Sequence, residues 1–324
     1  MLILGRNDVE RLLPMNECIE VAAGALAALA CGEALQPLRQ VHRLAGENGL
    51  LVVMPGALSG AGTAADGVHG VKVLSLFPGN AALGEDTHVG SVLLFESQRG
   101  APVALLDAAS LTAIRTAAVS AVATRLLARE DAGDLALLGA GVQAHTHLEA
   151  LLHVRPLRRV RVWSRDPERA RRFARTASGR HHLPVTPAAT ARQAVEGADL
   201  VCTLTGASEP VLEGGWLAPG AHVNAVGACT PNARELDTDA VRRSRLFVDR
   251  RESALAEAGD LLIPLRRGEL GEEHIAGELG DLVLARVPGR TAPEEITLFK
   301  SLGLAVEDLA VARHVWRKAV GKVS

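Results

Sequence analysis

The sequence predicts an α/β protein with a doubly wound parallel sheet, joined to a second, α+β region built from the N-terminal third of the chain. Three observations carry this. From Asp134 to Val248 short apolar runs alternate with helical patterns, the rhythm of a parallel sheet covered on both faces. A glycine-rich turn, Gly139-Ala140-Gly141-Val142-Gln143-Ala144, directly follows the first of those runs. Before residue 110 the strand-like runs show no such alternation.

Taken in order, the chain begins with a short apolar run, Met1 to Leu4, broken at once by Arg6 and Asp8, so it lacks the long apolar core of a signal peptide. Asn7 reads as an N-cap with Glu10 three residues on, opening a helix whose apolar positions are Leu12, Leu13, Ile19, Val21 and Ala22. Leu50–Met54, Gly70–Leu76 and Ser91–Glu96 are Leu-rich or β-branched and bounded by Gly, Pro or Asn, as strands are. Arg115–Leu127 is an Ala-rich helix with Arg125 near its negative end. Strands then follow at Asp134–Leu138, Arg159–Trp163, Leu200–Leu204, His222–Val226 and Leu246–Val248, with helices at Val142–Val154, Pro167–Ala177 and Ala191–Glu196. After the stretch Val287-Pro288-Gly289-Arg290, a helical pattern from Ile296 to Lys318 is placed to return to the N-terminal region.

Composition narrows the function. A chain of 324 residues favours two domains, and a 48 % hydrophobic share with 22 % charged residues is that of an ordered globular protein. The formal charge is −2, and aromatics make up 2 % with no Tyr. Such a chain offers neither a basic field nor a stacking platform for nucleic acid, nor a field for an anionic membrane. Cys18, Cys31, Cys202 and Cys229 form no C-x-x-C pair, which points to a reducing cytoplasm. His145 and His147, two apart on one helix, face different ways, and His181-His182 reads as a loop, so no metal site is expected. The run Arg169, Arg171, Arg172 and Arg175 reads as a solvated helix face.

The glycine turn is the sharpest signal. A lone G-x-G-x-x-A is weak, but here it follows a strand and opens a helix, the context a dinucleotide site demands. Gly139 permits the tight turn, Gly141 admits the pyrophosphate, and Ala144 allows close helix–strand packing. The N–H groups of Val142 and Gln143 then face the phosphates at the positive helix end. The next strand ends in Ser164-Arg165, a hydroxyl and a guanidinium that suit a 2′-phosphate, so NADP(H) is expected over NAD(H). Asp166, one residue on, is the competing feature that would serve NAD(H).

Several collinear stretches resemble the ornithine cyclodeaminase/μ-crystallin family. They are Gln36-Pro37-Leu38-Arg39, Gly70-Val71-Lys72-Val73, Arg115 to Thr124, the glycine turn, Asn224-Ala225-Val226-Gly227-Ala228, and Thr297 to Asp308. The resemblance implies a homodimer with a Rossmann nucleotide domain over 115–298. It implies a substrate-binding and dimerisation domain from 1–114 and 299–324. Arg39, Lys72 and Arg115 are then the substrate-pocket cations, the two arginines gripping an α-carboxylate. The implied cofactor site adds Thr116, Thr203, Leu204, Val226, Gly227, Ser301 and Gly303 to the glycine turn.

Family cyclodeaminases carry an Asp where this chain reads Cys229, in Val226-Gly227-Ala228-Cys229-Thr230-Pro231. Cys229 counts among the candidate catalytic positions, with a buried, inert thiol as the plainer reading. A thiol with an unperturbed pKa of about 8.5 replaces a charged carboxylate poorly, which argues against ornithine cyclodeamination. Relatives resembling mammalian μ-crystallin also lack the Asp and are NADPH-linked ketimine reductases. The resemblance thus implies reduction of a small cyclic imino acid to proline or pipecolate. The alternatives are an alanine or other amino-acid dehydrogenase, an ornithine cyclodeaminase, and a μ-crystallin-like binding or structural protein.

Overall fold

The computed structural model describes residues 1–44, 49–60, 67–77, 79–80 and 87–321. Residues 322–324, the end of the expected 299–324 segment, lie outside the described residues. The chain forms two compact units: Met1–Arg115 with Gly303–Ser324, and Thr116–Leu302. No single helix among the described residues is long and apolar enough to cross a membrane.

The first unit is a seven-stranded sheet of β1 (Leu2–Leu4), β2 (Ala34–Leu35), β3 (Gln40–Arg43), β4 (Leu50–Leu58), β5 (Val68–Leu76), β6 (His88–Glu96) and β7 (Pro102–Asp107). Its order is β1-β7-β6-β5-β4-β2, with β3 also on β4. Strand β1 joins β7 in parallel and the other pairs are antiparallel. Alternation along each strand sends Val52, Met54, Leu74, Val92, Leu94 and Leu106 into a core. The helix Met15–Ala30 and the C-terminal helix Ala305–Ala319 belong to the same unit, and the C-terminal helix packs on β4, β5 and β6.

Sequence expectations at the N-terminus need correction. The predicted single helix is two, α1 (Arg6–Leu12) and α2 (Met15–Ala30), because Pro14 lacks an N–H and becomes the N-cap of α2. The cap of α1 is Gly5 rather than Asn7, and Asp8 rather than Glu10 reaches back, accepting from Gly5 N at 3.2 Å.

Two facing glycines seat the C-terminal helix on the sheet. Gly56 and Gly70 are register partners on β4 and β5. A Cβ on Gly70 would stand 2.3 Å from Leu93 O and 2.9 Å from a Leu309 methyl, and one on Gly56 would press on Ala305 and Leu309 at 3.2 Å. Only glycine admits the first turn of that helix so close to the strands. Lys72 lies two residues beyond Gly70, on the same sheet face.

The helix α3 (Ala108–Leu127) runs from the first unit into the second, beginning seven residues before the predicted Arg115. The second unit is an eight-stranded, all-parallel sheet in the order β10-β9-β8-β11-β12-β15-β13-β14. Its strands are β8 (Asp134–Leu138), β9 (Arg159–Trp163), β10 (Val185–Pro187), β11 (Leu200–Thr203), β12 (His222–Ala225), β13 (Ser244–Val248), β14 (Ile275–Glu278) and β15 (Ile296–Lys300). Leu135 and Leu137 of β8 enter one hydrophobic cluster with Leu148, Val162 and Phe173. Ala136 and Leu138 enter another with Val201, Val223 and Leu246. Both sheet faces are therefore buried, as a doubly wound fold requires.

The predicted helix from Ile296 begins instead at Ala305. Ile296–Lys300 is a fully buried strand between β12 and β13, since a short β-branched and aromatic run covered on both faces suits a central parallel strand. The helix α4 (Val142–Leu152) lies where expected, while α5 (Pro167–His181) runs on to take in His181. His182 ends α5 in the left-handed region at φ 51, so the pair is a helix end and not a free loop.

Candidate functional site

In the second unit the chain winds from β8 to β9 and β10 on one side, then crosses to β11 on the other, so the carboxyl ends of β8 and β11 meet at a topological switch point. Ligands of open α/β sheets bind there. The glycine turn lies at this point: Gly139 has φ 125, and a Cβ on it would stand 2.5 Å from Leu204 O at the end of β11. Gly139 N donates to Trp163 O at 2.8 Å, tying the turn to the end of β9.

Gly141 is the N-cap of α4, with no side chain to cap it, and a Cβ there would meet nothing within 4 Å. The first-turn N–H groups of Val142 and Gln143 find no acceptor among the described residues. Val142 is exposed, and Gln143 Oε1 is buried without a hydrogen-bond partner. Open space and two free donors at a positive helix end fit a pyrophosphate.

At the end of β9, Ser164 is half-buried and Arg165 is exposed, with no polar partner among the described residues. Asp166 is committed elsewhere as the N-cap of α5, its carboxylate accepting from Glu168 N at 2.9 Å. The run Arg169, Arg171, Arg172 and Arg175 is exposed on α5. Thr203 and Leu204 lie at the end of β11, and Val226 and Gly227 follow β12, both their N–H groups donating to Thr203 O. Ala144 is buried in α4, Thr116 is buried in α3, and Ser301 follows β15 with its N–H on Ala225 O at 3.0 Å. Cys229 belongs to this unit too, its Sγ donating to Val226 O at 3.4 Å. His147 is buried between Gln143 O and Ser120 Oγ, and burial pushes its pKa down to about 4. No cluster suited to a metal ion occurs among the described residues.

The first unit holds the cations. Lys72 Nζ lies 3.0 Å from Asp308 Oδ1, and both side chains are buried. Arg115 Nε lies 2.8 Å from the same oxygen, and its Nη1 lies 3.0 Å from Glu307 Oε2. Arg39 Nη2 donates to Gly303 O at 2.8 Å, and a Cβ on Gly303, whose φ is 79, would strike the Arg115 guanidinium at 2.5 Å. The structure thus gathers Arg39, Lys72, Arg115 and Gly303 in one place, against Glu307 and Asp308 of the C-terminal helix.

Burial pushes Lys72 down to about 8; Asp308 pulls it up and Arg115 pushes it further down. Lys72 and Arg115 share one oxygen of Asp308, Arg115 also meets Glu307, and half-buried Arg39 stands beside them on Gly303 O. Guanidinium and ammonium groups gathered in this way are suited to grip a substrate carboxylate. Sequence reasoning missed Glu307 and Asp308 as members of the site. Their position just inside a helix start reads as ordinary charge–dipole complementarity, and only the absence of solvent around them marks them out.

Residues 1–323 match the Ornithine cyclodeaminase/mu-crystallin family. A Bacillus cereus protein named Delta(1)-pyrroline-2-carboxylate reductase is 38 % identical over 321 residues, covering 99 % of this chain and 97 % of its own. The Mus musculus protein named Ketimine reductase mu-crystallin is 41 % identical over 285 residues, covering 88 % of this chain and 85 % of its own. A solved structure of Thermococcus litoralis Delta(1)-pyrroline-2-carboxylate reductase, in complex with NADH and L-proline, superposes with a TM-score of 0.95 at 40 % identity. It covers 99 % of this chain and 98 % of that one. The glycine turn at the switch point, the buried cation cluster and these likenesses along the whole length agree, and the chain belongs to the ornithine cyclodeaminase/mu-crystallin family.

Proposed function

We propose that this protein is an oxidoreductase that reduces a small cyclic imino acid, Δ1-pyrroline-2-carboxylate or Δ1-piperideine-2-carboxylate, to proline or pipecolate, preferring NADPH. The observation that carries the reading is the convergence of Lys72 and Arg115, both buried, on Asp308 Oδ1, with half-buried Arg39 beside them on Gly303 O, a set of cations suited to a carboxylate. Support comes from the two reductases and the proline-bound structure to which the chain is similar.

When bound, a nicotinamide dinucleotide supplies a hydride. The chain's own residues do the rest. The amides of Val142 and Gln143 hold the pyrophosphate, and Arg165 pairs with the 2′-phosphate that distinguishes NADPH. Asp166, occupied as a cap, is a poor competitor for a free ribose hydroxyl. Arg39 and Arg115 grip the substrate carboxylate, and a planar guanidinium fixes its orientation. Lys72 supplies a hydrogen bond to the carboxylate or holds a proton beside the imine nitrogen. A protonated imine is already electrophilic, so the reaction asks chiefly for orientation, and Cys229 need supply no acid. This favours imine reduction over ring closure of a diamino acid, which calls for a carboxylate where Cys229 stands.

The protein is further proposed to act as a homodimer through the outer face of the first unit's sheet. Register partners Ile3, Leu105, Leu93, Val71 and Pro55 form an apolar row across β1, β7, β6, β5 and β4 on that face, with Val73 and Val89 exposed beside it. A second copy of the same row is its natural cover.

Cyclic imines of both ring sizes, and pyruvate with ammonia, are to be compared at the nicotinamide absorbance band. Turnover of the imines with NADPH, and far less with pyruvate and ammonia, is the expected result; the reverse order would make the protein an amino-acid dehydrogenase. Arg165→Ala should weaken NADPH binding by about 10- to 100-fold, the worth of a lost charged hydrogen bond, and leave NADH nearly unchanged. Unchanged NADPH affinity would refute the assignment of Arg165.

A further inference from the structure

Glu235 is wholly buried in the second unit, beneath the carboxyl ends of β11 and β12. Its Oε1 accepts from Thr205 N and Thr205 Oγ1, both at 2.7 Å, and its Oε2 accepts from Thr203 Oγ1 at 2.8 Å and Gly227 N at 2.7 Å. These four donors fill the capacity of an ionised carboxylate, and they come from two separate loops. The loops also touch directly, since a Cβ on Gly227 would stand 2.1 Å from Thr205 O. Between the two donor positions on β11's loop lies Leu204, whose carbonyl packs on Gly139.

A second layer holds Glu235 in place. Asp260 Oδ1 accepts from the N–H groups of Glu235 and Leu236 at 2.8 and 2.9 Å. Lys300 Nζ lies 3.0 Å from Asp260 Oδ2 and donates to Ala225 O at 3.3 Å, so the last residue of β15 closes the network onto the end of β12. Burial pushes the Glu235 carboxyl up, and Lys300 draws it back down. A charge so far from water needs a reason beyond packing, because apolar side chains fill a core at less cost.

We infer that Glu235 is a positioning residue for the dinucleotide site, clamping the Thr203–Thr205 and Val226–Gly227 loops so that Leu204 holds Gly139 and the phosphate turn in register. This rests on the reading of that turn as a dinucleotide site. The clamp has a chemical signature. Each carboxylate oxygen receives one backbone N–H and one hydroxyl. In Glu235→Gln, whichever oxygen becomes NH2 therefore faces a backbone donor, Thr205 N or Gly227 N, and the clamp loosens on that side although volume is conserved and Gly227 N keeps Thr203 O as a second acceptor at 3.2 Å.

The test measures NADPH dissociation constants by fluorescence for the wild type, E235Q and Thr205→Val, each with its thermal midpoint. The KM for a cyclic imine at saturating NADPH is measured beside them. E235Q is expected to weaken NADPH by about 10-fold or more, the cost of one buried donor left unpaired, and to move the imine KM by less than about twofold. T205V, which removes a single hydroxyl, should weaken NADPH by about threefold. Folded E235Q that binds NADPH like the wild type would overturn the inference. Should E235Q fail to fold, T205V decides: unchanged NADPH affinity in that variant overturns the clamp. A wild type that binds no dinucleotide would instead remove the reading of the turn, and the inference with it.

Discussion

The chemistry of a single residue, Lys72, is set by where the fold puts it. An ammonium taken wholly out of water beside Arg115 loses affinity for its proton, and Asp308 restores only part of it, leaving the group titrating at about 8. It is therefore charged at neutral pH and neutral in mildly alkaline solution. If its charge helps hold the substrate carboxylate, kcat/KM for the imine should fall as pH rises through about 8, since that ratio reports the free enzyme's groups. Lys72→Arg, which stays charged, should lose this limb even where it turns over slowly. A limb of unchanged position in that variant would assign it to another group. The stretch Gly70-Val71-Lys72-Val73 was legible only through its collinear resemblance to the family, since a lysine taken alone in an apolar strand reads more often as a surface cation. Its partner Asp308 was not, since neither composition nor spacing tells that an acid 236 positions away is the one it meets.

At the scale of elements, legibility followed the length and isolation of the apolar runs. Strands β8 and β9 lie at their expected bounds because each is a single apolar or β-branched run feeding a recognisable turn or cap. Strand β15 was misread because Ile296–Lys300 is followed within five residues by a true amphipathic helix, and a run buried on every side carries no period of its own. Strand β1, only three residues long, has a partner that lies far away on β7, so local sequence gave no sign of it. The backbone of the glycine turn was legible because its demands are local: a positive φ at Gly139 and bare space at Gly141. Gly141 offers a clean experiment. Its substitution by Val meets no protein atom within 4 Å at Cβ and keeps an extended φ of −95, so the unliganded fold should keep its thermal midpoint. Dinucleotide affinity should fall by about 100-fold or more, because the side chain fills the space the phosphates need. Calorimetric titration beside thermal unfolding separates the two effects, and an equal loss of stability and binding would contradict the turn's assignment.

For the whole molecule, the division of labour between two units follows from burial. The parallel sheet of the second unit is covered on both faces and presents only its strand ends to a ligand. The sheet of the first unit is covered on one face and leaves the Ile3, Leu105, Leu93, Val71 row outward. Leu93→Arg, placing a charge in the middle of that row, should convert a dimer to a monomer in sedimentation while the unit itself stays folded. A variant that remains dimeric would put the interface elsewhere. The claim on which the whole account turns is that hydride passes from the nicotinamide to the carbon bearing the clamped carboxylate. It is tested most directly with NADPH carrying deuterium at the transferable C4 position and Δ1-pyrroline-2-carboxylate as acceptor. The account predicts proline carrying one deuterium, located on its α-carbon, in step with NADPH consumed. NADPH bound but not consumed, or proline without the label from either C4 face, would contradict it.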